Sequence, residues 1–327
     1  MDRYDIVCIG EMLVDFLSEG NEGGSLRFVG NAGGAPANVA VGASRLGLRS
    51  AFIGKVGDDM FGAHLKGVLA REGVDAKGLV MDKSALTTLA FVSLDQSGDR
   101  SFAFYRNPGA DAMLRKEELD LNVLCSCSAL VHGSISLIAE PSRSATLYAI
   151  KAAKDAGAAI CFDPNIRKAL WPDMDAARRA IFGALPFSDL VKVSDEELMA
   201  LTGAVSVQDG LAELRRASGS NPVVAVSMGA RGSMVSVNGK TIASEGFNVD
   251  VTDTTGAGDA FMSALLFGVI RVSKELSLAS AIRGCEPTSW KEILDFANAA
   301  GALCASRKGA IPALPRLDEI RAFLNGR

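Results

Sequence analysis

Asp253-Thr254-Thr255-Gly256-Ala257-Gly258-Asp259-Ala260-Phe261 is the stretch on which the reading of this chain turns. A β-type segment, Phe247 to Val251, leads into it, and an apolar run of helical length, Ala260 to Val269, leads out. Gly256 and Gly258, flanking Ala257, let backbone amides approach a ligand with no side chain in the way. If they open the helix, their N–H groups at its positive end form an anion site. Asp259 then falls in the first turn, its carboxylate beside whatever anion those amides hold. A base beside an anion hole is what phosphoryl transfer to an alcohol requires, because the alcohol loses its proton as the phosphoryl group arrives. A plain structural task suits the same aspartate, since acidic side chains favour a positive helix end. Taken alone, the stretch leaves both readings open.

The composition narrows the setting. The chain has 327 residues, 48% hydrophobic and 22% charged, which describes one large globular domain or one with a smaller appendage. A net charge of −4 argues against nucleic acid or anionic lipid as the main partner. The six cysteines mostly lie in apolar surroundings, Cys125-Ser126-Cys127 is not a Cys-x-x-Cys, and the chain has only two histidines. This supports neither a zinc site nor a disulfide framework. Met1-Asp2-Arg3-Tyr4 enters a strand directly, with no basic-then-apolar leader, and no apolar run approaches the ~20 residues of a membrane span. The expected location is the cytoplasm.

Working outward, Asp5 to Gly10 reads as a buried strand and Leu26 to Val29 as a half-exposed one. Gly30-Asn31-Ala32-Gly33-Gly34-Ala35-Pro36-Ala37-Asn38 precedes a helix, Val39 to Leu46, with Pro36 suited to a first helical turn. Ser50 to Val56 is a strand and Met60 to Glu72 a helix. Thr87 to Leu94 and Arg100 to Tyr105, joined by the polar loop Asp95 to Asp99, read as a hairpin. With Asp15 to Phe28 they make a small sheet of about four strands. From Asp120 onward short apolar strands alternate with amphipathic helices, the pattern of a mostly parallel sheet covered on both faces. Met234 to Val237 and Phe247 to Val251, on either side of a Gly239 turn, read as an antiparallel edge. Arg283 to Ser289 reads as a polar connection ahead of a helix, Trp290 to Ser306, and a terminal helix, Leu317 to Leu324.

In open α/β sheets ligands bind beyond the carboxyl ends of the strands. The residues expected there include Glu11, Asp15, Gly33, Gly34, Asn38, Arg106, His132, Asp163, Asn165, Arg167, Ser194, Glu197, Gly229, Gly232 and Asp253 to Asp259. Carboxylates and amides suit a polyol's hydroxyls, and arginines suit phosphate. Neither a Rossmann Gly-x-Gly-x-x-Gly after the first strand nor a Walker A run is present.

Gly33-Gly34-Ala35-Pro36-Ala37-Asn38 with Gly47, and Asp253 to Asp259, resemble the N- and C-terminal signatures of ribokinase-like (phosphofructokinase B-type) sugar kinases, in the right order. Phe104 to Asp111, Gly133 to Leu137, Lys192 to Glu197 and Gly309 to Pro315 resemble fructokinases in particular. The resemblance covers essentially the whole chain. It implies a three-layer α/β fold with a central sheet of about nine strands. The α/β core would comprise residues 1–11, 34–85 and 110–327. A β-sheet lid, residues 12–33 and 86–109, would close over the sugar and form a homodimer contact. An apolar lid face carrying Phe28, Phe91, Phe102 and Phe104 would suit that contact.

The resemblance also assigns roles. Asp259 becomes the base and Gly256, Ala257 and Gly258 the anion hole. Asp15, Gly33, Gly34, Asn38 and Arg106 fall at the sugar and Arg167 toward the transferred phosphoryl group. Lys192, Ser227, Gly229, Gly232, Gly258 and Asn298 fall at ATP. Glu197 orients the water shell of Mg²⁺; Ser194 stands where many relatives have asparagine. Asp253 and Thr255, with backbone near Cys304, Arg307 and Gly309, match a K⁺ site. Four of these residues carry a structural alternative: Asn38 as a helix-start amide, Arg106 in a surface ion pair, Arg167 paired with Asp163, and Asn298 on a polar helix face. The activity implied is ATP-dependent phosphorylation of D-fructose at the 6-hydroxyl. The alternatives are 2-keto-3-deoxygluconate, ribose or an aminoimidazole riboside as substrate, or a catalytically silent sugar-binding scaffold.

Overall fold

The computed structural model describes residues 3–94, 100–273 and 276–326. The side chains of residues 21, 22, 92–94 and 100–102 are likewise outside the description, so Phe102 and the loop Asp95 to Asp99 are not placed.

Its strands are β1 (Tyr4–Ile9), β2 (Leu13–Glu22), β3 (Ser25–Gly33), β4 (Ser50–Gly57), β5 (Asp75–Asp82), β6 (Leu89–Leu94) and β7 (Arg100–Tyr105) in the N-terminal part. There follow β8 (Cys127–His132), β9 (Ala159–Phe162), β10 (Leu190–Ser194), β11 (Val223–Ser227), β12 (Ser233–Val237) and β13 (Lys240–Ser244). They form a nine-stranded sheet in the order β13-β12-β11-β10-β9-β8-β1-β4-β5 and a four-stranded sheet in the order β3-β2-β6-β7. In the large sheet only the pairs of β12 are antiparallel.

The apolar run of β1 is explained by its two buried faces. Ile6 and Cys8 join the core beneath helices Ala35–Arg45, Ala257–Ser273 and Pro287–Ala305, whereas Val7 and Ile9 join the core beneath helix Ser142–Asp155. The result is helix, sheet, helix: the three-layer α/β architecture with a small second sheet that the sequence implies. Parallel strands bring the segments after β1, β9, β10 and β11 to one edge of the sheet.

Three local expectations are corrected. Phe247 to Val251 is not a strand; the edge strand after the turn is Lys240–Ser244. Asn238 (φ 49°) and Gly239 (φ 78°) form a two-residue turn that pairs Val237 directly with Lys240. Asn-Gly is the sequence signal for such a hairpin. Asp75–Asp82 is a strand that the sequence reading passed over. Its edge position leaves its two ends half-exposed and polar, and only its middle carries an apolar signal. Arg283 to Ser289 is the end of helix Leu278–Gly284 and the start of the helix that opens at Pro287.

In the small sheet the two-residue period divides the aromatic residues. Asp15, Ala90 and Phe104 are register partners on one face. Phe16, Phe28 and Phe91 lie on the other, where Phe91 stacks on Phe16 at 4.9 Å and meets Phe28 edge-on at 5.2 Å. Phe104 therefore does not share the face of Phe28 and Phe91.

Candidate active site

Two cavities lie along the carboxyl edge of the large sheet. One, of about 400 Å³, is lined by Glu11, Asp15, Gly34, Asn38, Asn165, Arg167, Lys192, Glu197 and Asp259 among others. The second, of about 260 Å³ and mostly apolar, lies between Gly229 to Gly232, the extended segment Gly246 to Val251 and the helix bearing Asn298. Ser227, Thr254 and Gly258 line both, so the cavities meet at the stretch quoted first.

The glycines at this junction are there for space. Gly256 has φ 81°, and a Cβ on it would stand 3.0 Å from the Cα of Ala310. A Cβ on Gly258 would meet the Lys192 ammonium at 2.9 Å. The helix begins at Ala257. The amide of Ala257 closes a turn on the Thr254 carbonyl at 3.2 Å. Of the three amides expected to form an anion hole, that of Ala257 is spent on this turn.

Asp259 is buried, and both its oxygens accept amides. Asn38 Nδ2 donates to Oδ2 at 2.7 Å, and Asn165 Nδ2 donates to Oδ1 at 3.2 Å. Burial pushes the carboxyl above its ordinary range, against the pull of the Asn38 amide, Lys192 and Arg167. Asn38 is therefore no helix cap: Gly34 holds that position, and Asn38 lies in the first turn with its side chain on Asp259.

Lys192 and Asp163 form a buried pair at 3.0 Å. Burial pushes Asp163 up to about 7, and the carboxylates facing Lys192 keep its ammonium charged. Arg167, exposed at the cavity, has no ion-pair partner among the described residues, so its pairing with Asp163 is not formed. Asp15 is pushed up to about 6 by burial, opposed by Arg167. A Cβ on Gly33 would stand 2.2 Å from Asp15 Oδ2, and one on Gly34 2.5 Å from the Glu11 carbonyl. Arg106 does not line the cavity; its guanidinium is held on buried Asp111 at 2.7 Å, which Thr88 also contacts.

Glu197 closes a capping box with Ser194. Its Oε2 accepts the Ser194 amide at 3.0 Å and its Oε1 the Ile166 amide at 2.6 Å. Asn298 is buried and donates to Ser244 Oγ and the Glu245 carbonyl, both at 3.1 Å, shaping the second cavity rather than offering that amide to a ligand. Gly232 (φ 91°) and Gly246 let the two loops of that cavity touch: a Cβ on either would approach the opposite backbone within 2.3 Å. Asp253 accepts the Thr255 amide and hydroxyl and the Gly309 amide, tying the loop to the chain's last third. Cys304 lies against the Thr255 carbonyl, and Arg307 pairs with Glu319. The sequence reading missed Leu13, Phe104 and Ile135 as lining of the larger cavity, since apolar residues read as core, and Gly246 of the smaller.

The chain belongs to the pfkB family of carbohydrate kinases, whose model matches residues 3–317 under the description "pfkB family carbohydrate kinase". Among its relatives, the probable fructokinase-4 of Arabidopsis thaliana is 45% identical over 98% of this chain and 97% of its own. A crystal structure of fructokinase with bound ATP from Xylella fastidiosa superposes with a TM-score of 0.90 at 34% identity, over 98% of both chains. Aminoimidazole riboside kinase from Salmonella enterica matches with a TM-score of 0.81 at 31% identity, over 98% of this chain and 99% of that one.

Proposed function

We propose that the chain is an ATP-dependent fructokinase that phosphorylates D-fructose at the 6-hydroxyl. The observation that carries this reading is the meeting of a polar cavity and an apolar one at Gly258, with buried Asp259 on the polar side. Fructose occupies the polar cavity among Asp15, Asn38 and Arg167, and the nucleotide base the apolar one. Asp259 takes the proton of the hydroxyl as the phosphoryl group arrives. The amides of Gly256 and Gly258, with Lys192 and Arg167, face the transferred group's charge. The identity to plant fructokinases favours fructose over the aminoimidazole riboside. Retention of Asp259 and both glycines favours an enzyme over a silent scaffold.

Among the described residues no group of three or more His, Cys, Asp or Glu side chains could hold a metal ion. This fits Mg²⁺ carried in on the nucleotide phosphates and met by the protein through water, where it would neutralise phosphate charge. A K⁺ would be held by the carbonyls about Cys304, Arg307 and Gly309, with the Asp253 carboxylate already fixing that loop. The four-stranded sheet acts as the lid, its Asp15 face toward the sugar, and its outer aromatic face is the homodimer contact. No helix among the described residues is long and apolar enough to cross a membrane, which suits an enzyme of the cytoplasm.

Coupled ADP release with a panel of fructose, ribose, 2-keto-3-deoxygluconate and an aminoimidazole riboside tests the reading. The highest kcat/KM is expected with fructose. Preference for another member overturns the substrate, and release with none overturns the enzyme.

A further inference from the structure

The larger cavity contains a residue given no role above, and the wiring behind it leads to Glu197. Asn165 follows β9 with φ 43°, a left-handed conformation that asparagine tolerates better than most side chains. It is buried, and its Nδ2 donates to Asp259 Oδ1 at 3.2 Å. Two bonds pin the turn that holds it. Its Pro164 carbonyl accepts the Ser134 amide at 3.1 Å, and its Ile166 amide is taken by Glu197 Oε1 at 2.6 Å. The other oxygen of Glu197 is spent on the Ser194 cap at 3.0 Å.

We propose that Asn165 is a positioning residue for the base, and that Glu197 acts on turnover through it by fixing the Ile166 amide. This rests on Asp259 being the base. With Asn38 on one oxygen and Asn165 on the other, the carboxylate is prevented from rotating and keeps its remaining lone pairs toward the substrate hydroxyl. Without Asn165 the carboxylate is held from one side, so turnover falls while the ligands bind as before.

The test uses the full chain with fructose, ATP and Mg²⁺. Asn165→Gly adopts the same φ without strain and removes only the amide, and circular dichroism checks its fold. Its kcat is expected to fall by about tenfold to a hundredfold, the factor for a hydrogen bond to an ionised group. KM for fructose and for ATP should stay within about twofold. Glu197→Gln has a single carbonyl for two amides, so its kcat should fall too. Raising Mg²⁺ should not restore it, and the double variant should be no slower than the slower single one. A near-normal kcat in Asn165→Gly, recovery of Glu197→Gln by excess Mg²⁺, or losses that multiply in the double variant would overturn the proposal. If another sugar proves to be the substrate, the same ratios measured on that sugar keep the two questions separate.

Discussion

Lys192→Met tests the electrostatics beneath the site. The exchange keeps the side chain's length and removes its charge, leaving Asp163 buried; both side chains are only 5% exposed and stand 3.0 Å apart. Breaking one side of a buried pair costs about 3–5 kcal/mol. Protonation of Asp163 limits that cost, and it ties the cost to pH. Burial holds Asp163 at about 7 even with the ammonium present. The unfolded chain releases that proton near 3.9. A carboxyl raised on folding loses stability as pH rises, by up to about 1.4 kcal/mol per unit, until its folded pKa is passed. In the parent chain this loss ends near pH 7. Without Lys192 the folded pKa of Asp163 moves higher, so the loss continues, and the negative charges of Glu197 and Asp259 beside it push Asp163 further up. The gap between parent and variant should widen by about 1–3 kcal/mol between pH 6.5 and 8.5. Urea unfolding followed by fluorescence of Trp171 and Trp290 measures it. Adding Asp163→Asn should recover most of the pH-dependent part. A gap that does not change with pH, or no recovery in the double variant, would mean that Lys192 does not hold Asp163 ionised.

Two further outcomes follow from single residues. His132 is buried, stacks on Phe162 at 4.3 Å and has an unpartnered Nε2; burial lowers it to about 4. Its contribution to stability is therefore present above its unfolded pKa of about 6.5 and is lost as pH falls toward 4, a change of about 3 kcal/mol. Glu11, Asp15 and Asp163 are shifted upward and act in the opposite direction. The difference between the parent and His132→Phe isolates the histidine: urea midpoints at pH 6.5 and 4.5 should show the parent losing more on acidification. Gly33→Ala drives a methyl against Asp15 Oδ2, so KM for fructose should rise by about tenfold or more, a loss of the size of one hydrogen bond to an ionised group. KM for ATP should not change, and equal changes in both would contradict placing Asp15 at the sugar.

Most of the fold was legible because its strands are buried on both faces and its helices on one. The runs around β1, β8, β9, β10 and β11 are apolar for that reason, and Pro36 and the glycines mark where helices and turns begin. The strand Asp75–Asp82 was not legible, since an edge strand with polar ends carries a weaker apolar signal. The turn at Asn238-Gly239 announces itself, but the strand that follows it, Lys240–Ser244, is polar at its start and carries less apolar signal than Phe247 to Val251. In the site, polar residues at strand ends could be listed from sequence, but not who holds whom. Asn38 and Asn165 reach Asp259 over 221 and 94 residues, a pairing set by the order of strands rather than by spacing. The resemblance puts Arg106 near the sugar; that its guanidinium is held on buried Asp111, five residues on, is a pairing the sequence contains but does not announce. Leu13, Phe104 and Ile135 were invisible as site residues because an apolar wall and an apolar core look the same in sequence.

Whether Asp259 is the base is decided by the turnover of Asp259→Asn with fructose and ATP, alongside calorimetric binding of both ligands. The amide keeps the size of the carboxylate but cannot take a proton. General-base work contributes about 10²–10⁴-fold, so kcat should fall by at least that much while the fold and the binding of fructose and ATP persist. A variant that turns over fructose at near the parent rate would show that Asp259 is not the base.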